Sequence, residues 1–331
     1  MEYTAGAAGD SPVSAVDVDE ADRRIRPRVA ETPYRQSDGW SAATGIEVWL
    51  KEEQHLPTGS FKLRGAVNKL LTLSAAARAA GIVAASSGNH GAAVAYAASA
   101  MGVRARVYVP EGASPAKVDK IRAKGAEIVL FGTDGLDTEL EARAAAARTG
   151  ATYVSPYNDP AVMAGQGTAA IELLRQGPVP DRIYIAVGGG GLIGGMALWL
   201  RAMAPQVRIV GTLPAHSPVM AESVRAGRIV EMASESTLSD GTAGGIEAGA
   251  ITFPVCRDLV HEWVTVSEEE IAAAMVQWAK VEPGRIEGAA GVALAAMWRD
   301  APQLTGQRVA VVVCGGNIAG EAWTRVVGDR R

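Results

Sequence analysis

The sequence predicts an α/β fold built on parallel β-sheet. Short apolar segments alternate with longer, Ala-rich amphipathic segments along almost the whole chain. The short segments are continuously apolar rather than alternating, which is typical of strands that are covered on both faces, as in a parallel sheet. Repetition of strand, helix and strand indicates right-handed crossovers, with helices flanking an open, twisted sheet.

The predicted strands recur regularly along the chain. The first reads GIEVWLKEE and is followed by a helix that begins near Leu63. The next reads AGIVAAS and leads into the helical segment HGAAVAYAASAMG, whose alanines favour helix. The predicted strands cover residues 45–53, 80–86, 104–110, 126–132, 151–155, 182–188, 206–212 and 307–315.

Length and composition exclude several classes of protein. The 331 residues suffice for one large or two modest domains, and a net charge of −4 gives no reason to expect nucleic acid binding. No run of eighteen apolar residues predicts a membrane span, and residues 1–20 lack the pattern of a signal peptide. We expect those residues to form a flexible leader. The two cysteines are far apart, which favours a cytoplasmic protein without disulfides.

Two loops after predicted strands carry polar groups that could bind a ligand, since ligands of open α/β sheets bind at the carboxyl ends of strands. SSGNHG (86–91) brings hydroxyls and backbone N–H groups to a helix start, which suits a carboxylate or phosphate. An ordinary helix cap would explain the same residues. VVVCGGNIAG ends the last strand at Cys314, which is either a small buried side chain or a weak, uncharged partner for a ring atom.

A third loop, VGGGGLIGG (187–195), predicts a phosphate site. Four consecutive glycines let the backbone approach an oxyanion closely. Residues 189–194 also match the dinucleotide fingerprint, which requires an acidic residue about 20 positions later. The next strand ends VRIVGTLPAH and offers no acid, so a single phosphate is favoured over a dinucleotide.

The segment TGSFKLRGA (58–66) places Lys62 among small, turn-forming residues just before a helix. Lysine is usually solvated, so an inward lysine would need a chemical reason. Pyridoxal phosphate supplies one, because it carries a phosphate and an aldehyde that condenses with a lysine amine. None of the four histidines is paired at the spacing of metal ligands, so no metal site is expected.

The sequence resembles the fold-type II pyridoxal phosphate enzymes, in the branch of the serine/threonine dehydratases (ammonia-lyases) and serine racemase. The resemblance extends from about Arg26 to Ile318 and contains, in the family's order, TGSFKLRGA, SSGNHG, AGQGT, VGGGGLIGG, SDGTAGG and CGGN. It implies a tryptophan synthase β-like fold with two open, mostly parallel sheets. One belongs to a large cofactor-binding domain (21–79 and 158–331) and the other to a small mobile domain (80–157). Leu63 in FKLRG favours the dehydratase branch over threonine synthases, which typically read FKDRG.

The same resemblance implies roles for individual residues. Lys62 would bind the cofactor aldehyde covalently and transfer the Cα proton, helped by a pKa lowered through desolvation. Catalytic roles fall to Lys62 and Ser87. The residues implied to bind the cofactor are Phe61, Lys62, Asn89, Gly188, Gly189, Gly190, Gly191, Leu192, Glu287, Cys314 and Gly315. Those implied to bind the substrate are Ser86, Ser87, Gly88, Asn89 and His90.

The implied reaction is β-elimination from a β-hydroxy amino acid, such as L-threonine or L-serine, to a 2-oxo acid and ammonia. Cys314 would face the ring nitrogen, and a neutral thiol would favour elimination over transamination. Glu287 has an equally good explanation as a first-turn acid that interacts with a helix dipole. A homodimer is usual in this family. At the positions where some relatives bind a divalent cation the chain has Leu213, Ser217 and Val219, so that site is expected to be missing.

Several alternatives remain open at this stage. Racemase-like members place a serine at the position of Ser87 as an acid/base, whereas many dehydratases have alanine; the hydroxyl could also simply cap the next helix. An amino acid racemase is therefore the main alternative. Dehydratases of 3-hydroxyaspartate, phenylserine or a hydroxyectoine breakdown product are also open. A catalytically silent binding protein is disfavoured by the retention of Lys62 with both anion-binding loops.

Overall fold

The computed structural model describes residues 11–328, which fold around two β-sheets. The larger sheet has six strands in the order β1 (Tyr34–Gln36), β2 (Glu47–Glu52), β10 (Arg308–Val313), β7 (Arg182–Ala186), β8 (Arg208–Pro214) and β9 (Glu262–Val266). β1 is antiparallel to β2, and all the other pairs are parallel. The parallel strands are therefore joined by crossovers that carry helices over the faces of the sheet.

The smaller sheet has four parallel strands in the order β5 (Glu127–Leu130), β4 (Ala105–Val109), β3 (Ile82–Ala85) and β6 (Thr152–Tyr153). The predicted α/β class with two mostly parallel sheets is thus confirmed. All four strands fall within the segment 80–157. The exact boundaries of a small domain, and its mobility, stay predictions.

Helices separate nearly all the strands. They are α1 (Ala15–Ile25), α2 (Asp38–Thr44), α3 (Lys62–Thr72), α4 (Ala75–Ala80), α5 (Asn89–Ala100), α6 (Pro115–Arg122), α7 (Gly135–Thr149), α8 (Pro160–Gln176), α9 (Gly191–Met203), α10 (Val219–Ala226), α11 (Thr252–Leu259), α12 (Glu268–Val281), α13 (Gly288–Asp300) and α14 (Gly320–Val327). Short 3₁₀ turns occupy Glu53–His55 and Ala301–Gln303. Within residues 11–328, no helix combines the length and apolar character needed to cross a membrane.

The start of the chain departs from the prediction of a flexible leader over residues 1–20. α1 begins at Ala15, where the Ser14 hydroxyl and the Asp17 carboxylate form a reciprocal capping box. Val18 and Ala21 are fully buried. The expectation is therefore wrong for residues 15–20, because they form the start of this helix and Val18 anchors it in the core. Residues 1–10 lie outside the described part of the chain.

The glycines of α8 and α9 bring these two helices into direct backbone contact. A Cβ on Gly195 would overlap the Met163 carbonyl, and one on Gly167 would lie 2.6 Å from the Gly195 carbonyl oxygen. Both helices are buried on most sides. This close approach fixes the N-terminus of α9, where the four-glycine loop lies.

Candidate active site

A cavity of about 820 Å³ opens where the carboxyl ends of strands from both sheets meet. Residues that follow β3, β4, β6, β7 and β10 line it. Its size suits a cofactor together with a small substrate. Of the residues implied by the resemblance, those lining the cavity are Phe61, Lys62, Ser86, Ser87, Gly88, Asn89, His90, Gly188, Gly189, Gly190, Gly191, Leu192, Glu287 and Cys314.

The loop before Lys62 is held against the end of β10. The Phe61 amide donates to the Cys314 carbonyl at 3.0 Å, and the Gly316 amide donates to the Gly59 carbonyl at 2.9 Å. An antiparallel bridge joins Ser60 and Gly315 between these two bonds. The two segments therefore position each other, so that α3 begins with Lys62 beside the end of the strand.

The Lys62 side chain lies inside the cavity. Its Nζ donates to the Pro156 carbonyl at 2.9 Å and lies 5.1 Å from the centre of the Phe61 ring. No carboxylate of the described residues forms an ion pair with it. Desolvation by burial lowers the pKa of Lys62 to about 8, although the nearby Cys314 and Glu287 oppose this effect. A substantial fraction of the amine is thus neutral and nucleophilic near pH 8.

The four-glycine loop presents free backbone N–H groups to the cavity. The first intrahelical bond of α9 runs from the Gly194 amide to the Gly190 carbonyl, which leaves the earlier amides of the helix without intrahelical acceptors. Gly190 has a φ of 86°, in the left-handed region that favours glycine. Free N–H groups at the positive end of a helix dipole suit a phosphate.

Tyr157 explains why the loop must lack side chains. A Cβ on Gly189 would overlap the Tyr157 ring, and one on Gly191 would lie 3.1 Å from the Tyr157 Cα and Cβ. The Tyr157 hydroxyl accepts a hydrogen bond from the Glu247 amide at 2.9 Å, which fixes the ring. Thr252 Oγ1 also donates to the Gly189 carbonyl at 2.6 Å. The loop is thereby held open toward the cavity.

Glu287, Asn89 and Asn317 form one polar network in the cavity wall. The Asn89 Nδ2 lies 2.9 Å from both carboxylate oxygens of Glu287, and the Asn317 amide donates to Glu287 Oε2 at 3.2 Å. The Asn317 side-chain amide donates to Asn89 Oδ1 at 2.8 Å. Glu287 stands at the N-cap of α13 but makes no cap hydrogen bond. Its carboxylate therefore serves the network across the cavity rather than its own helix.

Cys314 lies buried behind this network, with its Sγ 4.0 Å from Glu287 Oε1. Burial and the neighbouring Glu287 hold the pKa of the Cys314 thiol well above its usual value, so the thiol is neutral. Burial likewise raises the pKa of Glu287. Gly315 does not line the cavity. It lies behind Glu287, where a Cβ would be 2.6 Å from the carboxylate.

The loop after β3 carries the two serines. Ser86 Oγ accepts from the Gly88 amide at 3.1 Å, and the Ser86 amide donates to the Tyr108 carbonyl at 3.0 Å. Ser87 is half-buried, and its hydroxyl has no hydrogen-bond partner among residues 11–328. The N-cap of α5 is Gly88, without a side-chain cap bond, so Ser87 does not cap that helix.

His90 is buried, and its Nε2 lies 2.8 Å from the Val154 carbonyl. Because a carbonyl only accepts, Nε2 carries the proton. Desolvation, with a contribution from Lys62, lowers the pKa of His90 to about 3. The ring is therefore neutral and ties α5 to the end of β6, so its side chain provides no cation for a substrate carboxylate.

Sequence reasoning missed several residues of the cavity wall. Tyr157 and Asn317 take part in the contacts described above, and both follow strands at their carboxyl ends, so the strand-end rule could have found them. Lys117, Lys120, Lys124 and Asp240 also line the cavity. Lys117 and Lys120 come from α6, Lys124 from the turn after it and Asp240 from a long loop, and none of them was singled out in the sequence.

The expected absence of a divalent cation near Leu213, Ser217 and Val219 stays a prediction. In the described part of the chain, no group of three His, Cys, Asp or Glu side chains could hold a metal ion. Leu213 is buried within β8, and the Ser217 hydroxyl bonds the Ser234 hydroxyl at 2.7 Å.

Comparison with known proteins agrees with this geometry. The family model "Pyridoxal-phosphate dependent enzyme" matches residues 25–315. The L-threonine ammonia-lyase of Geobacter sulfurreducens is 42% identical over 302 residues, which cover 91% of this chain and 75% of that protein.

Two solved structures show the same architecture over nearly their full length. Maize serine racemase has a TM-score of 0.89 and 32% identity, with 95% of this chain and 96% of that one covered. The processed form of threonine deaminase isoform 2 from Solanum lycopersicum has a TM-score of 0.88 and 27% identity, with 99% of this chain and 100% of that one covered.

Proposed function

Since the chain belongs to the family of pyridoxal-phosphate dependent enzymes, we propose that it eliminates water from a β-hydroxy amino acid, such as L-threonine or L-serine, to give a 2-oxo acid and ammonia. One observation carries the proposal: a lysine with a lowered pKa lies in the same cavity as a glycine loop with free amides. The similarity to L-threonine ammonia-lyase supports this reaction over others on the same fold.

The residues of the cavity fit the cofactor. The cradle at residues 188–191 cannot accept side chains at Gly189, and its amides suit a phosphate. Lys62 supplies an amine for an aldehyde, and Phe61 provides an apolar surface beside it. When bound, pyridoxal phosphate supplies an electron-withdrawing ring that acidifies the Cα proton of an amino acid attached to it.

Lys62 has a second task, which is to move the Cα proton. Its amine is held by the Pro156 carbonyl and has no carboxylate partner among the described residues, so its protonation state is not fixed by an ion pair. A pKa of about 8 lets the amine accept a proton and release it again near neutral pH.

Cys314 and Glu287 would set the electronic character of the site. A neutral thiol at Cys314 cannot hold a ring nitrogen protonated as a carboxylate can, which favours early departure of the β-substituent. Glu287 is held by Asn89 and Asn317 in the cavity wall, and it fixes the orientation of the Asn89 side-chain amide. This arrangement favours elimination over transamination.

Racemisation is the second candidate activity, and Ser87 favours it. Its hydroxyl lines the cavity without an internal hydrogen-bond partner among the described residues, so it is available as an acid/base opposite Lys62. The similarity to maize serine racemase supports the same possibility. Replacing Ser87 by Ala would abolish racemisation but leave elimination by Lys62.

We also propose that the chain acts in the cytoplasm as a homodimer. The two cysteines are buried and free, which suits a reducing compartment. The small sheet has an apolar cluster made only of residues from 80–157 (Val83, Tyr108, Ala142, Ala145 and Ala146), and this segment would form a domain that moves over the substrate. Size-exclusion chromatography with light scattering tests the dimer.

The test of function is a 2-oxo acid assay on the protein with pyridoxal phosphate, across both enantiomers of threonine and serine. Chiral analysis of the remaining substrate separates elimination from racemisation. We expect 2-oxo acid and ammonia in equal amounts, and none from Lys62→Ala. Loss of activity in that variant should accompany loss of the borohydride-stable adduct on the peptide that contains residue 62. Full cofactor loading without any 2-oxo acid would contradict the proposed function.

A further inference from the structure

Helix α6 presents a line of positive charges to the cavity. The helix and the turn after it carry three lysines at i, i+3 and i+7, namely Lys117, Lys120 and Lys124. This spacing places them on one side, which we call the lysine side. All three line the cavity, together with Ile121 of the same side. Arg122 does not line the cavity and pairs with Asp119 on the outer side of the helix.

Two of the three lysines, Lys120 and Lys124, form no ion pair with any residue that the structure describes. Lys117 pairs with Asp240 at 2.7 Å, and Lys124 lies 5.5 Å from the Tyr96 ring centre. Lys120 has no ion pair or hydrogen bond with any residue from 11 to 328. Among residues 11–328, the carboxylates that line the cavity are those of Asp240 and Glu287. Glu287 already binds Asn89 and Asn317, so neither acid is left for Lys120 or Lys124.

The anions already assigned to the cavity do not account for this surplus. The free amides that suit the cofactor phosphate lie at the start of α9, after β7 of the larger sheet. α6 instead connects β4 and β5 of the smaller sheet. The substrate's α-carboxylate is expected at residues 86–90, at the start of α5. Lys117 and Lys120 are exposed and Lys124 is half-buried, so the three lysines lie at the solvent-facing rim of the cavity. Unpaired cations at such a rim attract a further anionic group and favour its binding.

We propose that this lysine side recognises a second anionic group beyond the substrate's Cβ, and that the preferred substrate is a β-hydroxy amino acid with a carboxylate there, 3-hydroxyaspartate being the simplest. The proposal rests on the proposed function and names its substrate class. Lys120 and Lys124 are the specificity-determining residues. Lys117 holds Asp240 across the cavity mouth and positions the helix.

The reaction balances with the groups already described. The Cα–H and Cβ–O bonds break, and water leaves with the proton and the hydroxyl. The released enamine tautomerises to an imine, and one water hydrolyses it to oxaloacetate and ammonium. If the anion were instead a phosphate ester on the β-oxygen, as in O-phosphoserine, phosphate would leave in place of water and the products would be pyruvate, ammonium and phosphate.

The experiment compares kcat/KM for L-serine, L-threonine, 3-hydroxyaspartate and O-phospho-L-serine, using the cofactor-loaded enzyme. Lys120→Met and Lys124→Met are tested against Arg122→Met, a matched control on the outer side of the same helix. We expect the wild-type enzyme to prefer the acidic substrate. In each lysine variant, kcat/KM for the acidic substrate should fall about tenfold, mainly because KM rises. The neutral substrates should change less than about twofold, as should every substrate with Arg122→Met. The preference for the acidic substrate should also weaken as salt is added.

A binding arm separates this inference from the proposed function. Aspartate and alanine carry no β-hydroxyl, so the change in cofactor absorbance on adding each one reports binding without elimination. Aspartate should bind more tightly than alanine, and this difference should be lost in Lys120→Met. That result supports anion recognition by the lysines even if no 2-oxo acid forms. The lack of a 2-oxo acid would then refute only the proposed elimination. Preference for O-phosphoserine supports an anion site but assigns it to phosphate. Equal binding of aspartate and alanine, or weaker cofactor binding in the lysine variants, overturns the inference.

Discussion

Asn89 and Glu287 connect the two sheets across the cavity, with the Asn89 side-chain nitrogen 2.9 Å from both carboxylate oxygens of Glu287. Asn89 begins α5, which follows β3 of the smaller sheet. Glu287 precedes α13, which packs on strands of the larger sheet. The pair therefore joins the two parts of the fold at the site where the cofactor is expected, and its charge state affects both stability and chemistry.

We predict that Glu287→Gln changes the pH dependence of stability. Burial raises the pKa of Glu287 above its value in the unfolded chain. The folded protein then binds more protons than the unfolded one, so this residue costs stability as pH rises from about 4.5 toward the folded pKa. Because Gln cannot ionise, thermal unfolding should show the Tm of the variant rising relative to wild type as pH increases above about 4.5.

The matched control is Glu222→Gln, at the exposed ion pair with Arg225. Its Tm should stay close to wild type at every pH, because exposed pairs contribute little. The Tm difference between Glu287→Gln and wild type could instead stay constant or fall as pH rises. That result would show that Glu287 ionises in the folded protein without a loss of stability.

Cofactor uptake should depend on pH through Lys62. The pKa of about 8 means that the neutral, nucleophilic amine becomes abundant as pH rises to that value. We expect the rate of adduct formation with the apoprotein, followed by stopped-flow absorbance, to increase with pH and level off above about 8. Lys62→Ala should show no adduct at any pH. A midpoint near 10.5, the ordinary value for lysine, would mean that the amine is hydrated rather than desolvated.

Gly189→Ala should weaken cofactor binding without unfolding the protein. A methyl group there would overlap the Tyr157 ring, so either the ring or the loop must move. We expect cofactor affinity to fall at least tenfold, measured by equilibrium dialysis, with a loss of stability of about 1–3 kcal/mol from overpacking. Gly112→Ala is the control, since a Cβ there meets nothing within 4 Å. Adding Tyr157→Ala to Gly189→Ala should restore part of the affinity; failure to do so would mean that the overlap is not the cause.

Much of the fold could be predicted because its strands are covered on both faces. Each predicted strand segment overlaps a strand of the structure, and β10 shows why: five of its six residues are buried in a continuous apolar run. The two strands that were missed lie at the edges of the larger sheet. β1 is a three-residue polar segment, YRQ, and β9 is mostly exposed or half-buried, so neither carries the continuous apolar pattern.

The site was predictable only where chemistry is concentrated in a short loop. Lys62, the SSGNHG loop and the four glycines were found because each combines unusual residues at the end of a strand or the start of a helix. The partners that fix them could not be found in this way. Asn317 reaches Asn89 across 228 positions, and Tyr157 reaches Glu247 across 90, so only the folded chain brings them together.

Arg64, two residues after Lys62, belongs to a fully buried ion cluster beneath the site. Its Nε lies 2.6 Å from Glu53 Oε2, and its second guanidinium nitrogen lies 2.7 Å from Glu172 Oε2. Lys51 lies 2.6 Å from the same Glu172 oxygen. Burial alone would raise the pKa of Glu172, but Arg64 and Lys51 hold it well below its usual value. The cluster therefore anchors the start of α3, and with it Lys62, to β2 and α8.

We predict that Arg64→Met destabilises the protein by about 3–5 kcal/mol at pH 7, because two buried carboxylates lose their main cation. The folded pKa of Glu172 is lowered, so its stabilising contribution is present above the unfolded pKa of about 4.5 and is lost as pH falls. The difference in unfolding free energy between wild type and variant should consequently shrink below about pH 4.5. Arg148→Met, at an exposed ion pair with Glu141, is the control and should change stability by less than about 0.5 kcal/mol. A stable Arg64→Met protein, or a loss that is equal at pH 4 and pH 7, would mean that shape rather than charge holds this part of α3.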